Sequence, residues 1–346
     1  MSTKVLFTRV AQTYKAALRI CSSRNLPTSS IYLHSAKIKP LANRTFVNMA
    51  SSNPQDHNNA DFQLSELYNV KDKVALVTGG GSGIGLMAVQ ALAVNGAKVY
   101  IVGRTEEKLE RVASTYGKDV PGQIIPLTAD IASKSSIKEL VSEIESREKC
   151  LCILINNAGI AGTTHKPEGS SAEEVKQNIF EPDNQTFEMW EQVYRTNVGQ
   201  IYFLSTAFLP LLQKATEHQH GYSGTVLNIT SISGLVKRSQ NHFAYNASKG
   251  AAIHLTKLLA NELWMAGLKI RVNSIAPGVF PSEMTAKESG ENQKSELEKD
   301  KYASIPAQRP GNDRDMANAV LMAVTNQYFN GQNLVVDGGY LIANGT

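Results

Sequence analysis

The chain has 346 residues, 42% of them apolar and 19% charged, a balance that excludes disorder along its whole length and suffices for one large domain. Three cysteines, Cys21, Cys150 and Cys152, are too few for a disulfide framework, and no apolar run is long enough to span a bilayer. The net charge of +4 is unevenly held: Lys4, Arg9, Lys15, Arg19, Arg24, Lys37, Lys39 and Arg44 precede any Asp or Glu, so the rest of the chain carries −4, which argues against a nucleic-acid partner.

Residues 1 to 60 read as a basic leader. Its first turns place Leu6, Val10, Tyr14 and Ala17 on one helical face and Lys4, Lys15 and Arg19 on another, the pattern of a mitochondrial presequence, which implies the mitochondrial matrix. The alternative is a tail without an address on a cytoplasmic protein, and Met49 offers a second start that omits the leader. Residues 61 to 346 are expected to form a single domain.

Strands and helices alternate from Lys73 onward. The pattern predicts strand Val74 to Val77, helix Leu86 to Val94 stopped by Asn95 and Gly96, strand Lys98 to Val102, helix Glu106 to Tyr116 and strand Ile124 to Leu127. There follow a helix from Ser133 or Ser135 to Arg147, strand Cys152 to Ile155, one long helix Phe187 to Leu212, and strand Thr225 to Ile229. Helix Ala244 to Met265, strand Ile270 to Ile275, helix Asp313 to Thr325 and strand Leu334 to Val336 complete the series. Nearly continuous apolar strands separated by helices predict an α/β fold: a Rossmann-type, doubly wound parallel sheet of seven strands. Ile160 to Thr186 and Pro281 to Gln308 break the rhythm and are expected to build the ligand site.

The first strand runs into Thr78-Gly79-Gly80-Gly81-Ser82-Gly83-Ile84-Gly85. Glycines there permit a sharp turn and let a pyrophosphate reach the N–H groups at the start of a helix, so Gly79, Ser82, Gly83, Ile84 and Gly85 are candidates for binding a dinucleotide. At the end of the second strand, where an acid ordinarily meets a free ribose, stand Gly103 and Arg104. A guanidinium pairs with a 2′-phosphate and an acid repels one, so Arg104 points to NADP rather than NAD, with Glu106 and Glu107 still within reach of a ribose.

Taken together these motifs resemble the short-chain dehydrogenase/reductase family. The glycine spacing is the family's TGxxxGxG, Asn156-Asn157-Ala158-Gly159 follows the fourth strand, Tyr245 and Lys249 stand as YxxxK, and Pro277-Gly278 follows the sixth strand. The resemblance covers residues 72 to 342. It implies an enzyme that moves hydride between a nicotinamide cofactor and a carbonyl or alcohol carbon.

Tyr245 and Lys249 are four apart on a predicted helix and share a face. Bringing a phenol to ionise at neutrality needs roughly 4 kcal/mol of preference for the phenolate, which the lysine cation and a nearby nicotinamide positive charge supply in a partly desolvated pocket, and Tyr245 can then pass a proton to a carbonyl oxygen. Ser231, with Ser233 as competitor, is placed to hold that oxygen. Asn197 resembles the helix asparagine that completes the family's tetrad through a water beside the lysine. By the same resemblance Asp130 meets the adenine amine, Asn157 and Gly159 line the cofactor, Ser282 meets the nicotinamide carboxamide, and Pro277 and Gly278 belong to the cofactor site. His218 and His220 lack a third ligand at metal spacing, so no metal is expected. Asn228-Ile229-Thr230 is a formal glycosylation sequon in a predicted core strand.

The implied activity is NADPH-dependent reduction of a small ketone, with the string Pro277 to Met284 most similar to 3-oxoacyl reductases. The same residues also fit an alcohol or sugar dehydrogenase working in the oxidative direction, and a cofactor-binding scaffold without catalysis is the alternative of another class. The implied partners are a small-molecule carbonyl substrate and further copies of the chain, as a homotetramer or homodimer, with no nucleic acid and no membrane.

Overall fold

The computed structural model describes residues 59–286, 289–297 and 305–345. The leader expected over residues 1 to 60 lies outside these apart from its last two residues, which open a 3-10 turn, Asn59–Phe62, ahead of the short helix α1, Leu64–Leu67.

Seven strands form one sheet in the order β3-β2-β1-β4-β5-β6-β7. They are β1 Val74–Thr78, β2 Lys98–Gly103, β3 Gln123–Thr128, β4 Ile153–Asn156, β5 Gly224–Ile229, β6 Ile270–Pro277 and β7 Asn333–Val336. Every pairing is parallel. The predicted sheet is therefore present, with ends that differ from the expected ones by a residue or two. β1, β4, β5 and β6 are buried along their whole lengths, which explains apolar runs without alternation. The order reverses between β1 and β4, and ligands of such sheets bind at the carboxyl ends beside that switch.

Helices α2 (Gly83–Val94), α3 (Glu106–Tyr116) and α11 (Asp313–Thr325) cover one face, and α4 (Lys134–Arg147), α7 (Gln200–Ala207), α8 (Leu209–His218) and α9 (Phe243–Met265) cover the other. Leu86, Val89, Leu92, Leu109 and Val320 pack on the first face; Leu140, Ile144, Leu204, Phe208 and Leu259 pack on the second. The remaining helices are α5 (Ala172–Ile179), α6 (Phe187–Tyr194), α10 (Glu283–Ala286) and α12 (Tyr340–Asn344).

Two expectations need correction. The helix read as Phe187 to Leu212 is three α-helices, with a π-turn at Arg195–Gly199 and a break at Phe208. The π-turn accommodates Asn197, whose side chain bonds the main chain of Ile160, and Pro210 lies in the first turn of α8, where its missing N–H costs no helical bond. The connection Ile160 to Thr186 also contains α5, whose N-cap Ser171 accepts from Glu174 N and whose first turn carries Glu173 and Glu174. None of its residues is buried, so apolar periodicity gives little sign of it.

Buried polar groups tie the layers together. Asn156 Nδ2 donates to Asn228 Oδ1 at 2.8 Å and to Ser205 Oγ at 3.1 Å, and Asn228 Nδ2 donates to Thr256 Oγ1 at 2.9 Å. The sequon asparagine is thus a fully buried strand residue. Arg271, buried on β6, donates to the carbonyls of Ala323 and Val324 at the end of α11, where a cation favours the negative end of the helix dipole.

Candidate active site

The loop between β1 and α2 must turn sharply, and its glycines are fixed by what surrounds them. Gly79 and Gly83 hold positive φ, at 65° and 53°. A Cβ on Gly85 would stand 2.1 Å from the Gly79 carbonyl oxygen and 2.5 Å from Asn157 Nδ2. Asn157 locks this loop to β4: its Nδ2 donates to the carbonyls of Thr78 and Gly79 at 3.0 and 3.1 Å, and its N–H reaches Thr78 Oγ1 at 3.0 Å. These contacts hold the start of α2 open for an anion.

A cleft of about 430 Å³ lies over this loop at the carboxyl ends of the strands. Gly79, Ser82, Gly83 and Ile84 line it with Arg104, Asp130, Asn157, Gly159, Tyr245, Lys249 and Ser282. The size and the backbone cradle fit a dinucleotide. Arg104 is exposed at the end of β2 and has no carboxylate partner among the described residues. Asp130 Oδ1 accepts from Ala132 N at 3.0 Å, which fixes the carboxylate on the rim.

Three of the expected cofactor residues do not line the cleft. Gly85 packs beneath the glycine loop, and Pro277 and Gly278 are held against β7, where Gly278 N donates to Val336 O at 2.8 Å and a Cβ on Gly278 would meet Asp337 Cα at 2.7 Å. They shape the site from behind. Sequence reading missed Thr105, Lys108, Gln192, Thr196, Glu283 and Met284, which do line it. Adjacency to Arg104, Asn197 and Ser282 is the signal that points to Thr105, Thr196 and Glu283.

On α9, one helical turn brings Tyr245 and Lys249 to the same wall. Lys249 is 4% exposed; its Nζ donates to Ile229 O at 3.0 Å and lies 5.5 Å from the centre of the Tyr245 ring. Burial brings the ammonium down to about 8. Burial also pushes the Tyr245 phenol up, and a hydrogen bond from Ser231 acts in the opposite sense. Desolvation is the larger of these two effects, and Lys249 is turned to a carbonyl rather than to the phenol oxygen.

The structure also separates the two serines. Ser231 meets the phenol and accepts from Ser233 N at 3.0 Å, whereas Ser233 Oγ donates to Gln240 Oε1 at 3.0 Å. Asn197 is 1% exposed in the π-turn. Its Oδ1 accepts from Ile160 N at 2.9 Å and its Nδ2 donates to Ile160 O at 2.9 Å and to Ser248 Oγ at 3.0 Å. Ser248 Oγ in turn donates to Tyr245 O at 2.7 Å. Asn197 thus fastens the loop after β4 to the helix that carries Tyr245 and Lys249. Gly159 lies between them: a Cβ there would be 3.1 Å from Asn197 Oδ1 and 3.6 Å from Lys249 Nζ.

Ser231, Tyr245 and Lys249 form a proton donor, a hydroxyl beside it and a buried cation behind it, at the edge of a dinucleotide-sized cleft. Chemically this suits a carbonyl oxygen that takes up a proton while its carbon is reduced.

The sequence pattern described as short chain dehydrogenase matches residues 73–293. Short-chain dehydrogenase/reductase PhomF of Diaporthe leptostromiformis is 38% identical over 282 residues, spanning 80% of this chain and 94% of that protein. The rhamnolipids biosynthesis 3-oxoacyl-[acyl-carrier-protein] reductase of Pseudomonas aeruginosa is 33% identical over 275 residues, spanning 79% and 98%. Among solved structures, the Pseudomonas aeruginosa RhlG/NADP active-site complex superposes with a TM-score of 0.64 at 29% identity, covering 79% of this chain and 98% of that one.

Proposed function

Because this chain belongs to the short-chain dehydrogenase family, we propose that it is an NADPH-dependent reductase that converts a ketone, in particular a 3-oxoacyl thioester, to a secondary alcohol. The observation that carries the reading is the cluster of Ser231, Tyr245 and Lys249, of which Tyr245 and Lys249 line the cleft that Arg104 borders.

NADPH bound in that cleft would supply the hydride. Ser231 and the Tyr245 phenol hold the ketone oxygen, and Tyr245 gives up its proton as that oxygen gains charge. Lys249, buried and cationic, stabilises the phenolate left behind. In the reducing direction Tyr245 starts protonated and acts as the acid; in alcohol oxidation it must start as the base. Asn197 maintains this geometry through Ser248 and Ile160. The substrate class rests on similarity to the 3-oxoacyl reductase of Pseudomonas aeruginosa.

The test is NADPH oxidation with 3-oxoacyl thioesters, diketones and sugar ketones, run in parallel with NADH. Turnover of a 3-oxoacyl thioester with NADPH preferred is the expected result. Arg104→Asp should weaken NADPH by about 1–3 kcal/mol and improve the relative use of NADH. Equal binding of the two cofactors by the unaltered protein would overturn the cofactor assignment. The proposal includes a mitochondrial address for the basic leader, supported by its charge pattern; a fluorescent fusion of residues 1 to 50 that stays cytosolic contradicts it.

A further inference from the structure

Lys108 stands on the third residue of α3, on the same side of the cleft as Arg104. Its stem runs beside the glycine loop, since a Cβ on Gly81 would be 3.7 Å from Lys108 Cβ. The loop itself carries no basic residue. Across the cleft, Lys108 Nζ pairs with Glu283 Oε1 at 2.7 Å. Glu283 opens α10 directly after Ser282, and Ser282 abuts Gly83, at whose position a Cβ would lie 2.8 Å from Ser282 Cβ.

Glu283 is thus the carboxylate that holds Lys108 at the mouth of the glycine loop, and Lys108 with the nearby Ser82 and Ser289 hydroxyls holds its ionisation below the ordinary carboxylate range. Arg104, the other cation on this rim, has no such partner among the described residues. The pyrophosphate of a dinucleotide belongs at the N-terminus of α2, whereas Lys108 is rooted in the first turn of α3, five residues after Gly103 closes β2, the strand whose end receives the adenosine ribose.

We propose that Lys108 is a second cation for the 2′-phosphate of the cofactor, and that Glu283 is an internal competitor which holds Lys108 until that phosphate takes its place. The inference rests on the reading that this cleft takes NADPH. Lys108 and Glu283 side chains are 44% and 35% exposed, so the pair is solvent-screened and opening it costs little. A phosphate dianion offers Lys108 more charge than a carboxylate and leaves Arg104 free to share it. NADH brings no group that draws Lys108 away, so Glu283 discriminates between the cofactors by charge without touching the nicotinamide end.

The test is a double-mutant cycle read by calorimetric binding, not turnover: the unaltered protein, Lys108→Met, Glu283→Gln and the double variant, each titrated with NADPH, NADH, adenosine 2′,5′-bisphosphate and ADP, with thermal midpoints to establish folding. Lys108→Met should weaken NADPH and the bisphosphate by about 10- to 100-fold, the scale of a charge-assisted bond, and leave NADH and ADP nearly unchanged. Glu283→Gln should tighten NADPH several-fold in the unaltered background and have no effect when Lys108 is already Met. An unchanged NADPH-to-NADH ratio in Lys108→Met, or equal tightening by Glu283→Gln in both backgrounds, would overturn the inference while a normal Arg104→Asp response leaves the cofactor reading standing. An unaltered protein without preference for NADPH overturns both.

Discussion

Lys249 Nζ donates to the carbonyl of Ile229 at 3.0 Å and sits 5.5 Å from the centre of the Tyr245 ring, so the cation is behind the phenol rather than bonded to it. The arrangement keeps a positive charge close to the place where negative charge appears when Tyr245 loses its proton. It leaves the phenol oxygen free for Ser231 and a substrate oxygen.

Replacement of Tyr245 by Phe preserves the ring and its packing and removes the proton donor. Reduction should fall by about 10²- to 10⁴-fold or more, with the melting transition and NADPH affinity retained. Turnover close to that of the unaltered protein on a confirmed substrate would show that the proton comes from elsewhere.

Reduction requires a protonated Tyr245 and a charged Lys249. Of the two, Lys249 titrates first as pH rises, because burial brings it to about 8 while Tyr245 is pushed up. The expected kcat/KM for reduction is level below neutrality and declines through about pH 8; a rise over that range would contradict the assignment. Stability moves in the other sense. The folded-state value lies below the ordinary 10.5, so the unfolded chain binds more protons between about 8 and 10.5, and the contribution of Lys249 to stability rises with pH across that window. Melting curves of the unaltered protein and Lys249→Met, compared at pH 7 and pH 10, isolate this term.

Gly85→Ala should disturb cofactor binding without touching the cleft wall. The added methyl would stand 2.1 Å from the Gly79 carbonyl oxygen, a backbone atom that must shift. A loss of about 1–3 kcal/mol in stability is expected, together with weaker binding of NADPH and NADH alike. Unchanged affinities, measured by fluorescence titration, would show that the glycine loop tolerates the displacement.

Self-association should use the exposed aromatic and aliphatic side chains of the second helical layer. Tyr202 and Phe203 on α7 and Leu258, Trp264 and Met265 on α9 are all large and exposed. Light scattering at micromolar concentration should give a dimer or tetramer, and Phe203→Glu combined with Trp264→Glu should shift it towards monomer. A monomer from the unaltered chain contradicts the expected assembly.

Much of this architecture was legible in the chain because it is written locally. Continuous apolar runs report strands covered on both faces, and the turn chemistry of Gly79 to Gly85 announces the phosphate loop before any contact is known. Tyr245 and Lys249 share a face because a helix turns every 3.6 residues, whatever packs against it. The π-turn at Arg195–Gly199 was not legible, since it depends on Asn197 bonding Ile160, which lies 37 residues away. Pro277 and Gly278 carry a motif, yet only their packing against β7 shows that they stand behind the cleft.

The sequence alone determined the alternation of strands and helices, the glycine loop and the Tyr245 and Lys249 pair, because each follows from backbone sterics, burial periodicity or helical spacing among near neighbours. Tertiary structure decided which serine meets the phenol, how Lys249 is oriented, and that Lys108 pairs with Glu283 across 175 residues of chain. Those relationships depend on distances and desolvation between elements, and neither exists until the sheet has brought its carboxyl ends together.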